Sequence, residues 1–312
     1  MSSRLREMAA GLGIPGAAEV QVCGATAGNE AYDYWHFLSN AHKDIFHTSI
    51  ITAEAALTTN RNDVLLLTPE NHSLASALTW DLNMSHFIGM YGSARQNMRS
   101  RIGMSADFSP MLTMSGYGNT LQNLYFMHGR GSATNLIAMT DTGGRNSYHN
   151  CHWNNQDGIA MDEAGYDMLY LNNNELYFKD CIFGTDGATM TDGTLVKFGK
   201  NIDPPRAVFE NCVFMFQSDA TDPTFIDIEG SIGRCWLVFK GCTFLNAGTA
   251  VAVGIDGTGL TGQCNMYFDS NCSFTGITNI CSDGPDAYIH MPVTCTVAAI
   301  LTNLHTTYPD TT

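Results

Sequence analysis

VFENCVF, at residues 208–214, is one of six copies of a short phrase that recurs along the chain. The others are TLQNLYF (120–126), SYHNCHW (147–153), YFKDCIF (177–183), VFKGCTF (238–244) and YFDSNCSF (267–274). Five copies place a cysteine at the same point, Cys151, Cys181, Cys212, Cys242 and Cys272, separated by 30, 31, 30 and 30 residues. Leu124 holds the slot 27 residues before the first of them. Self-similarity at a fixed period of this size is the mark of a solenoid, in which each repeat buries its apolar side against its neighbours.

The phrase also says which solenoid. Read at period two, Phe209 points inward and Glu210 outward, and Cys212 and Phe214 form a second inward pair. Phe209 and Cys212 are three apart, so a straight strand would face them oppositely. A one-residue corner between them turns both inward. Such a corner needs positive φ, which Gly, Asn and Asp accept most cheaply. The corner occupants are Asn123, Asn150, Asp180, Asn211, Gly241 and Asn271. Two short strands joined by a tight bend and stacked every 30 residues predict an all-β fold: a single-stranded right-handed parallel β-helix.

The remainder of each coil agrees. Short apolar runs at Asn135–Met139, Met168–Leu171, Thr194–Phe198, Thr224–Ile228 and Thr249–Val253 read as a third strand per coil. Eight coils between Val64 and Val297 predict a prism about 40 Å tall, with cysteines and phenylalanines stacked in internal ladders. The chain has 312 residues, only 14% of them charged, and 30 glycines, which suits a turn-rich wound core. Its net charge of −15 argues against nucleic acid and anionic membranes as partners. No run reaches membrane-spanning length, and the first 18 residues lack the apolar stretch of a signal peptide.

Ten cysteines raise the question of a disulfide scaffold. Five of them share one internal slot, where cysteine acts as a small hydrophobe. Cys23, Cys235, Cys264, Cys281 and Cys295 show no zinc-type spacing. All ten are expected as reduced thiols, with no metal and no cofactor. Of the sixteen methionines most are expected in the core, and outward ones with Tyr91 and Tyr117 at a subunit interface.

Residues 1–48 read as an N-terminal arm or attachment segment and 49–312 as the β-helix domain, capped at its start. Ser49–Thr59 is the candidate capping helix and Asp63–Pro69 the first strand. This entry, continuing into HSLASALTWDLNMSHFIGMYG, resembles the opening of the pectin-lyase-like β-helix superfamily. The resemblance covers roughly Ile50 to Val297 and speaks for fold. The superfamily includes lyases, hydrolases, phage tailspikes and inert virion parts, so it leaves activity open.

A polysaccharide-cleaving member needs paired carboxylates or a carboxylate set with a basic residue along one groove. The candidates here are Asp157, Asp162, Glu163, Asp227 and Glu229, with Asp167 and Asp222 beside them. Asp and Asn are also ordinary turn residues, and that reading is the simpler one. The pectate-lyase signatures W-x-D-H and R-x-P-R do not occur, nor do the D-D, G-H-G and R-x-K members of the polygalacturonase set. Arg145, His149 and His152 are candidates for glycan contact, with both histidines expected outward and Trp153 inward. Trp35, Trp80 and Trp236 are the rings whose exposure would signal a carbohydrate platform.

Among known families the chain looks like a bacteriophage virion component, capsid-decorating or spike-like. That resemblance implies a non-catalytic homotrimer, made in the host cytoplasm and carried on the virion. Its partners would be other virion proteins such as the major capsid protein, with a bacterial surface glycan as a further one. The rival reading is a tailspike-type or secreted lyase or hydrolase. A carboxylate pair brought together on one solvent-facing surface separates the two.

Overall fold

The computed structural model describes residues 16–24, 45–90, 100–129, 133–155, 160–199, 205–218, 223–229, 232–249, 251–258, 260, 262–282, 287–291 and 296–298, with residues 7, 10 and 220. Most of the arm segment, including Tyr32–Lys43, lies outside them, as does Asp157.

The described chain winds into three parallel sheets of eleven, nine and eight strands. The first runs through Ser147–His149, Leu176–Lys179, Arg206–Glu210, Cys235–Lys240 and Cys264–Phe268. The second takes His152–Asn155, Ile182–Thr189, Val213–Gln217 and Thr243–Asn246. The third takes Ile137–Asp141, Asp167–Leu171, Thr194–Phe198, Thr224–Ile228 and Val251–Asp256. Every strand pairs with the equivalent strand one coil away, as a β-helix requires.

The corner between the first and second sheets is the predicted one. Asn123, Asn150, Asp180, Asn211 and Gly241 have φ between 50° and 61°. Each of the first four donates its backbone N–H to a carbonyl of the next coil: to His149, Lys179, Glu210 and Lys240 at 2.7–3.0 Å. Corner side chains also join, with Asn150 Nδ2 donating to Asn123 Oδ1 at 2.9 Å. The sixth corner differs. Asn271 is not among the positive-φ residues, because YFDSNCSF carries one residue more than its counterparts. The extra length opens the bend, and Asp269 Oδ1 fills it by accepting from the N–H groups of Gly241 and Asn271.

On either side of the corner run two aromatic ladders. Tyr148, Phe178, Phe209, Phe239 and Phe268 stack along the first sheet at centroid distances of 4.6–5.1 Å. Phe126, Trp153, Phe183, Phe214, Phe244 and Phe274 do so along the second at 4.6–5.7 Å. The ladders meet edge to face, as Phe209 and Phe214 do at 5.4 Å and 63°, an arrangement the ring quadrupole favours. Each buried ring contributes roughly 1.5–3 kcal/mol of apolar burial.

The cysteine slot sits between these ladders. Cys151, Cys181, Cys212, Cys242 and Cys272 are buried and free. Each thiol donates to the carbonyl of the inward residue one coil earlier, Leu121, Tyr148, Phe178, Phe209 and Phe239 in turn, at 3.4–3.6 Å. Burial pushes the Cys181 and Cys212 thiols well above the usual range, so these groups stay neutral. One pair departs from the expectation of ten reduced thiols. Cys235 and Cys264 face each other in register on adjacent strands and are joined as a disulfide.

Two boundaries also shift. The capping helix is confined to Ile50–Glu54, with Ile50 and Ala53 buried against the core. The first sheet begins at Val20–Cys23 and Phe46–His47, before the helix. No helix among the described residues is long and apolar enough to cross a membrane.

The corner generates a direct prediction. Asn211→Val forces a β-branched residue to positive φ and should cost roughly 1–2 kcal/mol or more, whereas Asn211→Gly should change stability little. Urea melts of both variants check this, and equal midpoints would remove the corner argument.

Candidate functional site on the third sheet

The third sheet shows one face to the core and one outward, so residues two apart share a face. Its outward row is set by register: Tyr170 opposite Lys197, Lys197 opposite Asp227, and Asp227 opposite Asp256. Asp167 begins the strand that carries Tyr170, in the row of Thr194 and Thr224. The two threonine hydroxyls bond each other at 2.9 Å.

Lys197 links the row together. Its Nζ lies 3.2 Å from Asp227 Oδ2 and 3.5 Å from Asp167 Oδ2. All three side chains are largely covered, at 25%, 23% and 11% exposure. Tyr170 reaches across two coils and donates its hydroxyl to Glu229 Oε2 at 3.2 Å. Asp256 accepts from Thr258 and Ser282 at 2.7–2.9 Å at the end of the row.

The electrostatics follow from burial and crowding. Burial above all, with Asp227 and Glu229, raises the Asp167 carboxyl against the pull of Lys197, to about 6. Asp227 is also raised, chiefly by burial, against the pull of Lys197. For Lys197 burial opposes the charge, but the two aspartates together hold its pKa above the ordinary value. The group therefore offers a carboxyl that changes protonation near neutrality beside a second carboxylate and a fixed cation.

Among the residues singled out in the sequence, Asp167, Asp227 and Glu229 belong to this cluster, while Asp157 and Asp222 lie outside the described residues. Asp162 is exposed in the short turn Ala160–Asp162 and accepts from Thr191 Oγ1 at 3.2 Å. Glu163 lies beside it, its carbonyl accepting from the Tyr166 N–H. The turn reading fits those two but not Asp227, which sits on a strand.

Arg145, His149 and His152 do not converge. Arg145 is exposed and paired with Glu175 at 2.6 Å, and His149 lies on the first sheet, edge-on to Tyr177. His152, expected outward into solvent, is buried. Its ring stacks on Tyr125 at 4.6 Å and its Nε2 bonds the Gly184 carbonyl at 3.0 Å. Burial lowers its pKa to about 4. Gly184, whose carbonyl meets the ring nitrogen, is also where the Ile182–Thr189 strand begins to shift register.

Trp153 is inward as expected, and Trp80 is buried with its Nε1 donating to Ser85. Trp35 and Tyr91 lie outside the described residues. Met84, Tyr117, Trp236 and Tyr267 are the exposed large hydrophobic residues among those described.

Lys197 was missed by motif reading, yet the repeat period carries it. TLVKF at 194–198 and TFIDI at 224–228 set Lys197 and Asp227 at the same point, 30 residues apart. Opposite charges in one outward slot of adjacent coils are cross-strand neighbours. Among the described residues no group of three or more His, Cys, Asp or Glu side chains is placed to hold a metal ion.

No protein-family model matches the chain, and no curated protein matches it in sequence. Solved structures do. A pectin methylesterase from carrot aligns at TM-score 0.57 and 12% identity, over 91% of this chain and 83% of that one. Pectin methylesterase PemA from Erwinia chrysanthemi aligns at 0.56 and 12%, over 91% and 93%. Geobacillus virus E2 ORF18 aligns at 0.46 and 12%, over 78% and 57%, too distant to weigh. At such identity the likeness shows the fold alone, a parallel β-helix.

The cluster makes its own prediction. Lys197→Met removes the cation that favours ionised carboxylates, so the Asp167 midpoint should climb above about 6. Carboxyl carbon shifts followed against pH by NMR read this directly, and an unmoved midpoint would show that Lys197 does not govern the pair.

Proposed function

We propose that the protein is a spike-like virion component that acts on a bacterial surface glycan with the outer face of its third sheet. The observation that carries this reading is Lys197 held between Asp167 and Asp227. Paired carboxylates in unequal environments are what glycoside cleavage requires. The resemblance to phage β-helices in the sequence supports display on a virion.

The roles follow from geometry. Asp167, with its raised pKa, is the acid that gives its proton to the departing glycosidic oxygen. Asp227 is the partner carboxylate, its ionised form favoured by Lys197 against the opposing effect of burial. Both carboxylates reach one ammonium group, and the reading takes the retaining course, in which the two carboxyl groups work at roughly 5–5.5 Å. In that geometry Asp227 bonds to the anomeric carbon as the glycosidic C–O bond breaks. Water, deprotonated by Asp167, then releases the sugar. Asp167 and Asp227 flank Lys197, with Glu229 on Tyr170 and Asp256 at the end of the row, so the face carries more acid than base, repels polyuronates and favours neutral or amino-sugar polymers.

A second reading, a non-catalytic decorating protein, is favoured by the exposed rings of Trp236 and Tyr267, which the core does not need.

New reducing ends should appear when the protein is incubated with chitosan or neutral glucan oligosaccharides, and not with polygalacturonate. The protonated acid is required, so activity should be present below about pH 6 and decline as pH rises through it. Asp167→Asn and Asp227→Asn should each lower the rate roughly 100-fold or more while both variants stay folded. Absence of cleavage of any of the three polymers, or full activity in Asp167→Asn, would leave the decorating role in its place.

A further inference from the structure

The outer face of the first sheet differs from that of the third. Its central row is Tyr177, Val208, Val238, Tyr267 and His290, each opposite the next in register. Beside it runs Arg206, Trp236, Asn265 and Tyr288. Trp236 and Tyr267 are 44% and 38% exposed. Tyr267 stacks on His290 at 4.3 Å, and Asn265 Oδ1 bonds His290 Nε2 at 3.1 Å. The strip crosses five coils and is therefore about 19 Å tall.

We propose that this strip is where a second copy of the chain docks. The argument for that occupant is charge. The chain holds 15 basic against 30 acidic residues, so two copies repel each other over most of their surfaces. On this face the acidic excess is absent, with Lys179, Lys240 and Arg206 beside Glu210 and Glu175. Lys179, Glu210 and Lys240 follow one another in register along one edge, and Arg206 pairs with Glu175 at 3.0 Å along the other.

The third sheet, where Lys197 meets Asp167 and Asp227 and Asp256 ends the row, keeps the acidic excess. Exposed Trp and Tyr within a rim of mixed charge have the composition of an interface centre. The rings do not suit a sugar platform, because Trp236 and Tyr267 are tilted by 54° and share no plane. The proposal stands whether or not the third sheet is catalytic.

Light scattering on a sizing column tests it. The parent should have a mass that is a multiple of 34.0 kDa, and the double variant Trp236→Ala/Tyr267→Thr should fall to a single copy. A parent of single-copy mass at all concentrations up to about 100 µM, or a folded double variant that keeps the multiple, would overturn the proposal. If that variant does not fold, acrylamide quenching of the parent decides instead. Its tryptophan accessibility should fall as the protein is concentrated. Accessibility that stays constant on concentration, or falls only when oligosaccharide is added, would assign the strip away from self-association.

Discussion

The fold depends on one backbone constraint. Between the first and second sheets the chain must turn within a single residue at positive φ, so that the rings before and after it both enter the core. Asn, Asp and Gly meet that demand at Asn123, Asn150, Asp180, Asn211 and Gly241. Once the corner is held, the rest follows by stacking. Each ring has an equivalent ring 4.6–5.7 Å away along its ladder, and each ladder thiol has a carbonyl acceptor one coil earlier. The last corner shows the tolerance of the scheme: one extra residue is absorbed when Asp269 supplies with its side chain the acceptor that a carbonyl supplies elsewhere.

A core built of identical layers leaves the outer faces free to diverge. Core positions are tied to the residue above and below, while outward positions are tied only to each other across 4.8 Å or so. The third sheet uses this freedom to set Lys197 between carboxylates, one of which is half-charged near pH 6. The first sheet uses it to expose rings within a set of mixed charges. One solenoid thus has two faces of different chemistry, and neither needs the other.

The core was legible in the sequence because it repeats. The cysteine spacing and the corner residues locate the first two sheets, and the third-sheet strands Thr194–Phe198 and Thr224–Ile228 are found at their predicted bounds. Departures arise where a coil leaves the period. Asn271 loses its corner to one inserted residue, and His152 is covered where the Ile182–Thr189 strand shifts register. The Cys235–Cys264 pair became visible only when register set the two residues opposite each other. The site was half legible: Asp167, Asp227 and Glu229 stood out as acids, but Lys197 gains meaning only as the residue above Asp227. Arg145, His149 and His152, close in sequence, are separated by the turns between them.

The claim that the third sheet is the working face can be tested by hydrogen exchange on the intact protein, with and without amino-sugar or neutral oligosaccharide. The account predicts added protection in Asp167–Leu171, Thr194–Phe198 and Thr224–Ile228, with Arg206–Glu210 and Cys235–Lys240 unchanged. Protection confined to those last two strands, or none anywhere at saturating oligosaccharide, would contradict it.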